Sequence, residues 1–223
     1  MSSQKFLIFD AGPIISLSMN GLLDILENLK KEFRGEFILT PSVKKELVDN
    51  PLKIKKFELE AIRIKNLLDR KVLKLSSEFV KDNLLEKETR KVMEEINSSF
   101  LAYEKINLIH EGEASCIAFS NLCRCENLIV IDERTTRILT EAPDNLKAIM
   151  ERKLHTKIRV KYNNLKNLSK IRYIRSPEIV YIAYKKNLIN LKSPLLLDAL
   201  LYSLKYKGAS ISSKEIEIMK QRV

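Results

Sequence analysis

Two short apolar runs in this chain stop abruptly on a carboxylate. Lys5-Phe6-Leu7-Ile8-Phe9-Asp10 is the first, and Leu128-Ile129-Val130-Ile131-Asp132 is the second. An unbroken apolar run of this length reads as a strand buried on both faces, the kind found at the centre of a parallel sheet. In such sheets ligands bind just outside the carboxyl ends of the strands. A charge held there costs free energy unless it is paired or bound to a metal. Asp10 and Asp132 are therefore read as the first two ligands of a divalent-ion site. Asp10 has a competing role as the cap of a helix that begins near Gly12.

Two glutamates extend the set. Glu46 follows a second apolar run, Glu36-Phe37-Ile38-Leu39, on a helix opened by Thr40-Pro41. On a helical wheel it sits beside Val43 and Leu47, so it points toward the domain. Glu113 follows the short apolar run Ile106 to Ile109, read as a further strand, and falls in the first turn of a helix over Gly112-Glu113-Ala114-Ser115-Cys116-Ile117-Ala118-Phe119, on the buried side. A carboxylate is also welcome at a helix N-terminus on dipole grounds alone. Magnesium prefers a few carboxylates plus substrate phosphate oxygens. Crowded carboxylates repel one another, and a divalent cation at their centre offsets that cost. Such an ion polarises a scissile phosphate, lowers the pKa of bound water and stabilises the leaving oxygen. The chemistry expected of this set is hydrolysis of a phosphodiester without a covalent enzyme intermediate.

The alternation of strand and helix that must position these groups predicts an α/β fold, a parallel sheet with right-handed crossovers and helices on both faces. All four carboxylates would then share one sheet edge. One domain over 1–223 is expected, with a helical arm over 50–105, a basic insertion over 141–170 and C-terminal helices over 176–223. The arm reads as two Lys- and Glu-rich helices, 51–71 and 77–97, joined by 72–75. The basic insertion carries Lys147, Arg152, Lys153, His155, Lys157, Arg159, Lys161, Lys166 and Lys170 around Tyr162. Basic side chains beside an aromatic suit single-stranded RNA; a solvated insertion gives the same composition.

Forty Lys and Arg against 29 Asp and Glu leave a net charge of +11. That favours a polyanion, RNA or DNA before a membrane surface, although ion-pair networks of thermophile proteins also use such charge. No apolar run approaches the ~20 residues of a membrane span, and Met1-Ser2-Ser3-Gln4 lacks a signal-peptide pattern, so a cytoplasmic protein is expected. The three cysteines, Cys116, Cys123 and Cys125, do not have zinc-site spacing, and only His110 and His155 could assist them.

Asp10, Glu46 in Thr40-Pro41-Ser42-Val43-Lys44-Lys45-Glu46-Leu47, Glu113 in Gly112-Glu113-Ala114 and Asp132 in Ile131-Asp132-Glu133-Arg134 form an ordered set. In it the chain resembles the PIN-domain family, the fold of the VapC-type toxin ribonucleases, over about 5–223 apart from the arm and the basic insertion. The resemblance implies a metal-dependent endoribonuclease. Asp10, Glu46, Glu113 and Asp132 would hold Mg2+ or Mn2+, and products would end in 5′-phosphate and 3′-hydroxyl. It also implies phosphate contact by Arg137, with Arg134 beside it, and an RNA substrate. An antitoxin partner and a homodimer follow from family habit. The chain departs from the pattern at Ala11 and Val130, where a hydroxyl or amide side chain is usual. That loss allows a second reading, an inactive RNA-binding or scaffold protein on the same fold. A haloacid-dehalogenase-like phosphatase would need a second Asp two residues after Asp10, where Gly12 stands.

Overall fold

A computed structural model describes residues 4–102, 106–123, 125–165 and 168–222. Strand β1 (Lys5–Phe9) leads into helices α1 (Ala11–Met19) and α2 (Asp24–Glu32), then strand β2 (Glu36–Leu39). Helix α3 (Pro41–Lys44) runs on into a π-helical turn over Lys45–Asp49. Helix α4 (Glu58–Asp69), strand β3 (Leu73–Leu75), helix α5 (Asp82–Asn97) and the short strand β4 (Phe100–Leu101) follow. Next come α6 (Glu111–Leu122), β5 (Glu126–Val130), α7 (Arg134–Glu141), α8 (Pro143–Leu154), β6 (Arg159–Val160) and β7 (Tyr173–Ile174). Helices α9 (Ser176–Lys185), α10 (Leu196–Tyr206) and α11 (Ser213–Lys220) close the chain.

The main sheet is wholly parallel, in the order β3-β2-β1-β5-β7. Every residue from Phe6 to Phe9 is buried. Successive strand side chains point to opposite faces, so both faces of β1 are covered by helices. The α/β expectation is met. The chain leaves β1 toward β2 and β3 on one side and returns to β5 and β7 on the other, so the strand order reverses between β1 and β5. That switch point opens a crevice at the carboxyl edge of the sheet. A separate antiparallel pair, β4 with β6, lies apart from the main sheet.

Local chemistry accounts for the flanking helices. In α2, Ile25, Leu26 and Leu29 enter the core, acidic Asp24 and Glu27 occupy the first turn, and Lys30 and Lys31 the last, matching the helix dipole at both ends. Thr40 caps α3 by accepting from the Val43 N–H, with Pro41 in the first turn.

Three segments differ from the sequence reading. Within 50–102, the joint expected at 72–75 is a strand of the main sheet. Leu73–Leu75 pairs with β2 as the sheet's third strand, and α4 and α5 bury Ala61, Ile64, Leu67, Leu85, Val92 and Ile96. A three-residue strand between charged helices gives little periodic signal, so it passes for a joint. The apolar residues before Glu113 do not form a strand: 106–110 is irregular. Its amides are satisfied by the Asn97 side chain, which accepts from Leu108 N at 2.7 Å and Ile109 N at 3.1 Å. Finally, 143–154 within the basic insertion is a regular helix, opened by Pro143; Lys166 lies outside the described residues.

Among the described residues no helix is long and apolar enough to cross a membrane. The three cysteines are free, and burial raises the thiol of each, that of Cys123 to about 12. Their raised thiols favour the neutral form.

Candidate metal centre at the sheet switch point

The sheet register brings the two aspartates together. Phe9 pairs with Val130, and the Asp10 N–H donates to the Val130 carbonyl at 3.0 Å. Asp10 is thus the first residue beyond β1, and Asp132 stands beside it just beyond β5. A Cβ built on Gly12 would lie 3.6 Å from Asp10 Oδ2 and 3.8 Å from the Asp132 Cβ, so that glycine sits between them. Asp10 does cap α1, accepting from Gly12 N, but at 3.4 Å the contact is long.

Glu46 and Glu113 reach the same cavity from two neighbouring elements, the continuation of α3 and the start of α6. Glu46 belongs to the π-helical turn Lys45–Asp49, an irregularity that often marks functional sites. Glu113 lies in the first turn of α6, one residue after Gly112. A Cβ on Gly112 would fall 2.8 Å from Glu46 Oε1, so the absence of a side chain there lets Glu46 approach the start of α6. Asp10, Glu46, Glu113 and Asp132 all line one cavity of about 1270 Å³.

None of these four carboxylates forms a salt bridge among the described residues. Their partners are uncharged. Ser176 donates its N–H to Asp132 Oδ1 at 2.8 Å and its hydroxyl to Asp132 Oδ2 at 2.7 Å. The register explains this pairing: Ile174 pairs with Val130, so Ser176 is as far beyond β7 as Asp132 is beyond β5. Thr136 donates its hydroxyl to Glu113 Oε1 at 2.6 Å, and His110 N donates to Glu113 Oε2 at 3.0 Å.

Uncharged partners leave the repulsion in place, and all four acids are pushed up. Burial raises Asp10 from 3.8 to about 7, helped by the charges of Glu113 and Glu46 and opposed by the amides of Ala11 and Gly12. Burial also leads for Glu46, with Glu113 and Glu111 adding to it. Burial raises Glu113 against the pull of Thr136 and His110, with Glu133 adding. Burial raises Asp132 against the two Ser176 bonds and the Ser16 hydroxyl, with Glu178 adding. Opposing charge is the missing element, and hard carboxylate oxygens without a cation fit Mg2+ or Mn2+ as a donor set. Among the described residues, however, no three Asp, Glu, His or Cys side chains are gathered tightly enough to hold a metal ion as they stand.

The two arginines singled out in the sequence are not in the cavity lining. Arg134 is exposed and Arg137 half-buried on α7, and among the described residues the cations that line the cavity are Lys153 and Lys207. Sequence reading missed Ser176 and Thr136 as partners of the acids. Thr136 stands inside the segment after Asp132, but Ser176 is 44 positions downstream and shows itself in sequence only as a residue that starts a helix. Comparison of the chain with protein-family models, with curated proteins and with solved structures finds no significant match.

Proposed function

We propose that the chain is a divalent-metal-dependent ribonuclease that hydrolyses RNA phosphodiester bonds. The observation that carries this reading is the single cavity lined by Asp10, Glu46, Glu113 and Asp132, all raised and none neutralised by a cation. Asp10 and Asp132 would hold the metal directly, and Glu46 and Glu113 would complete its surroundings. The metal, when bound, would polarise the phosphate and activate water. The chain's own residues fix the acids: Ser176 orients both oxygens of Asp132, and Thr136 with the His110 amide orients both oxygens of Glu113. Among the described residues the acids are not a finished cluster, so side-chain movement would be needed for them to hold the ion together. The PIN resemblance, the +11 charge and a cytoplasmic setting are consistent with RNA as substrate.

The test is cleavage of an end-labelled single-stranded RNA with Mn2+ or with EDTA, using the native chain and Glu113→Gln. Cleavage is expected only with Mn2+, and at least about tenfold slower in the variant. Cutting in EDTA, or a variant as active as the native chain, overturns the proposal. A second reading, an RNA binder without activity, is favoured by the absence of a preformed three-ligand cluster among the described residues; RNA retained but never cut in Mn2+ would establish it.

A further inference from the structure

The acids form only one side of their cavity. Another part of the lining is a single stripe of α8: Leu146, Ile149, Met150, Lys153 and Leu154 all line it. Their spacing of three and four residues puts them on one helix face. Leu146 is buried, Ile149 and Met150 are half-buried, and Leu154 is 46% exposed. Leu146 and Met150 also pack into the main core, whereas Leu154, on the same helix face, is left exposed beside a crevice of carboxylates. Among the described residues, the cations of the lining are Lys153, in the same stripe, and Lys207, at the end of α10.

We propose that this α8 face is the base-binding wall of the cavity, taking unpaired nucleobases on either side of the phosphate that lies over the acids, with Lys153 and Lys207 contacting flanking phosphates. The inference rests on the nucleic-acid reading of the cavity and adds to it where the bases go and that they are not paired. Three features select this occupant. A volume of about 1270 Å³ exceeds the ~300–1,000 Å³ typical of small-molecule sites, so a polymer segment fits better than a metabolite. A floor of carboxylates with two lysines at the rim suits a chain of phosphates that a cation can bridge. An apolar wall with a methionine suits flat, unsaturated rings, since a thioether packs well on aromatic faces, whereas the edges of a duplex present phosphate and ribose instead. An apolar wall carries few donors or acceptors, so base identity is read weakly.

The test is binding in EDTA, where no cleavage occurs, followed by fluorescence anisotropy. Three probes are compared: a single-stranded RNA hexamer, a hexamer with abasic sites at its two central positions, and a duplex of the same length. The native chain is expected to bind the intact single strand about fivefold or more tighter than the abasic one, and the duplex more weakly. Met150→Gln, at a half-buried position, should erase most of the difference between intact and abasic strands, and Met150→Phe should keep it. Lys153→Gln should weaken both strands equally and lower the salt dependence by about one ion. Equal affinity for intact and abasic strands, or a difference that Met150→Gln leaves untouched while the circular dichroism stays native, overturns the proposal. Preferential binding of the intact strand without any Mn2+-dependent cutting removes the nuclease reading and leaves this one standing. Absence of RNA binding by the native chain in EDTA and again in Mn2+ overturns both.

Discussion

Replacing Asp10 with Asn should make the metal-free protein more stable while removing its response to metal. Asp10 is 8% exposed, and its carboxyl is raised from 3.8 to about 7. Between those values the folded chain binds a proton that the unfolded chain has lost. Stability in EDTA must therefore fall as pH rises from about 4 to about 7, and level off above. At ~1.4 kcal/mol per pH unit the full cost at pH 8 is about 4 kcal/mol. The raised Glu46, Glu113 and Asp132 carboxyls act in the same direction and steepen the native slope. The amide side chain of the Asp10→Asn variant would keep an oxygen for the Gly12 N–H but carry no charge. That amide still has to be solvated, at about 1 kcal/mol, so a net gain of about 3 kcal/mol is expected at pH 8. For a chain of this size that is about 6–12 °C in Tm.

The assay is thermal or urea unfolding of both proteins at pH 5 and pH 8, in EDTA and in Mn2+. In EDTA the variant should exceed the native chain at pH 8 and approach it at pH 5. Adding Mn2+ at about 100 times its Kd should stabilise the native chain by about 2.7 kcal/mol and the variant much less. The reasoning is refuted if, in EDTA at pH 8, the native chain is as stable as Asp10→Asn. That result would mean the Asp10 charge is already compensated inside the fold, and the need for a cation would disappear.

Gly112→Ala should separate stability from function. Alanine favours the helix by up to ~1 kcal/mol, and the new Cβ meets only the flexible tip of Glu46, at 2.8 Å. Tm should hold or rise slightly, while Mn2+-dependent cleavage falls because Glu46 is displaced; unchanged cleavage would show that Glu46 does not act. Ser176→Ala removes one of two bonds to a buried carboxylate and should cost about 1.5–3 kcal/mol in urea unfolding. Its Mn2+ affinity, measured calorimetrically, should drop about 10–100-fold, and a loss confined to stability would make Ser176 merely structural. Thr136→Val strips the hydroxyl from Glu113 Oε1 and leaves that oxygen without its donor. The Glu113 carboxyl should rise further, seen as a steeper loss of stability between pH 5 and 8 in EDTA; a flatter slope would contradict the assignment.

What the sequence discloses follows from how local the cause is. Asp10 and Asp132 are legible because a strand and its terminating residue are neighbours in the chain, and a parallel sheet aligns strand ends by construction. Glu113 is legible from helix periodicity, although the strand expected before it is an irregular segment held by Asn97. Ser176 is different in kind. Its relation to Asp132 exists only through the pairing of Tyr173–Ile174 with β5, and a two-residue strand carries almost no pattern of its own. The π-helical turn at Lys45–Asp49 is likewise invisible, since it shifts Glu46 on its helix without any change in residue type. The strand inside the joint at 72–75 is illegible for the same reason as Ser176: Leu73–Leu75 becomes a strand because β2 is available beside it, not because of its own composition.

The C-terminal helices, seen in sequence as an extension, are structurally part of the acidic site. Arg175 lies immediately before Ser176, and its guanidinium donates to Glu178 of α9, to Glu215 of α11 at 2.8 Å and to the Ser210 carbonyl at 2.8 Å. Glu178 in turn accepts from the Arg175 N–H at 2.9 Å. The backbone on the N-terminal side of Ser176 is thus clamped from two helices, and the two donors of Ser176 are fixed in direction before any ligand arrives. A lysine in place of Ser176 would hold Asp132 as firmly but would neutralise it. Using neutral donors on a frame stiffened by a remote ion pair orients the acids and keeps their charge available. The cost is that these carboxyls stay raised, and on the proposed function a divalent cation would remove that cost only by entering between them.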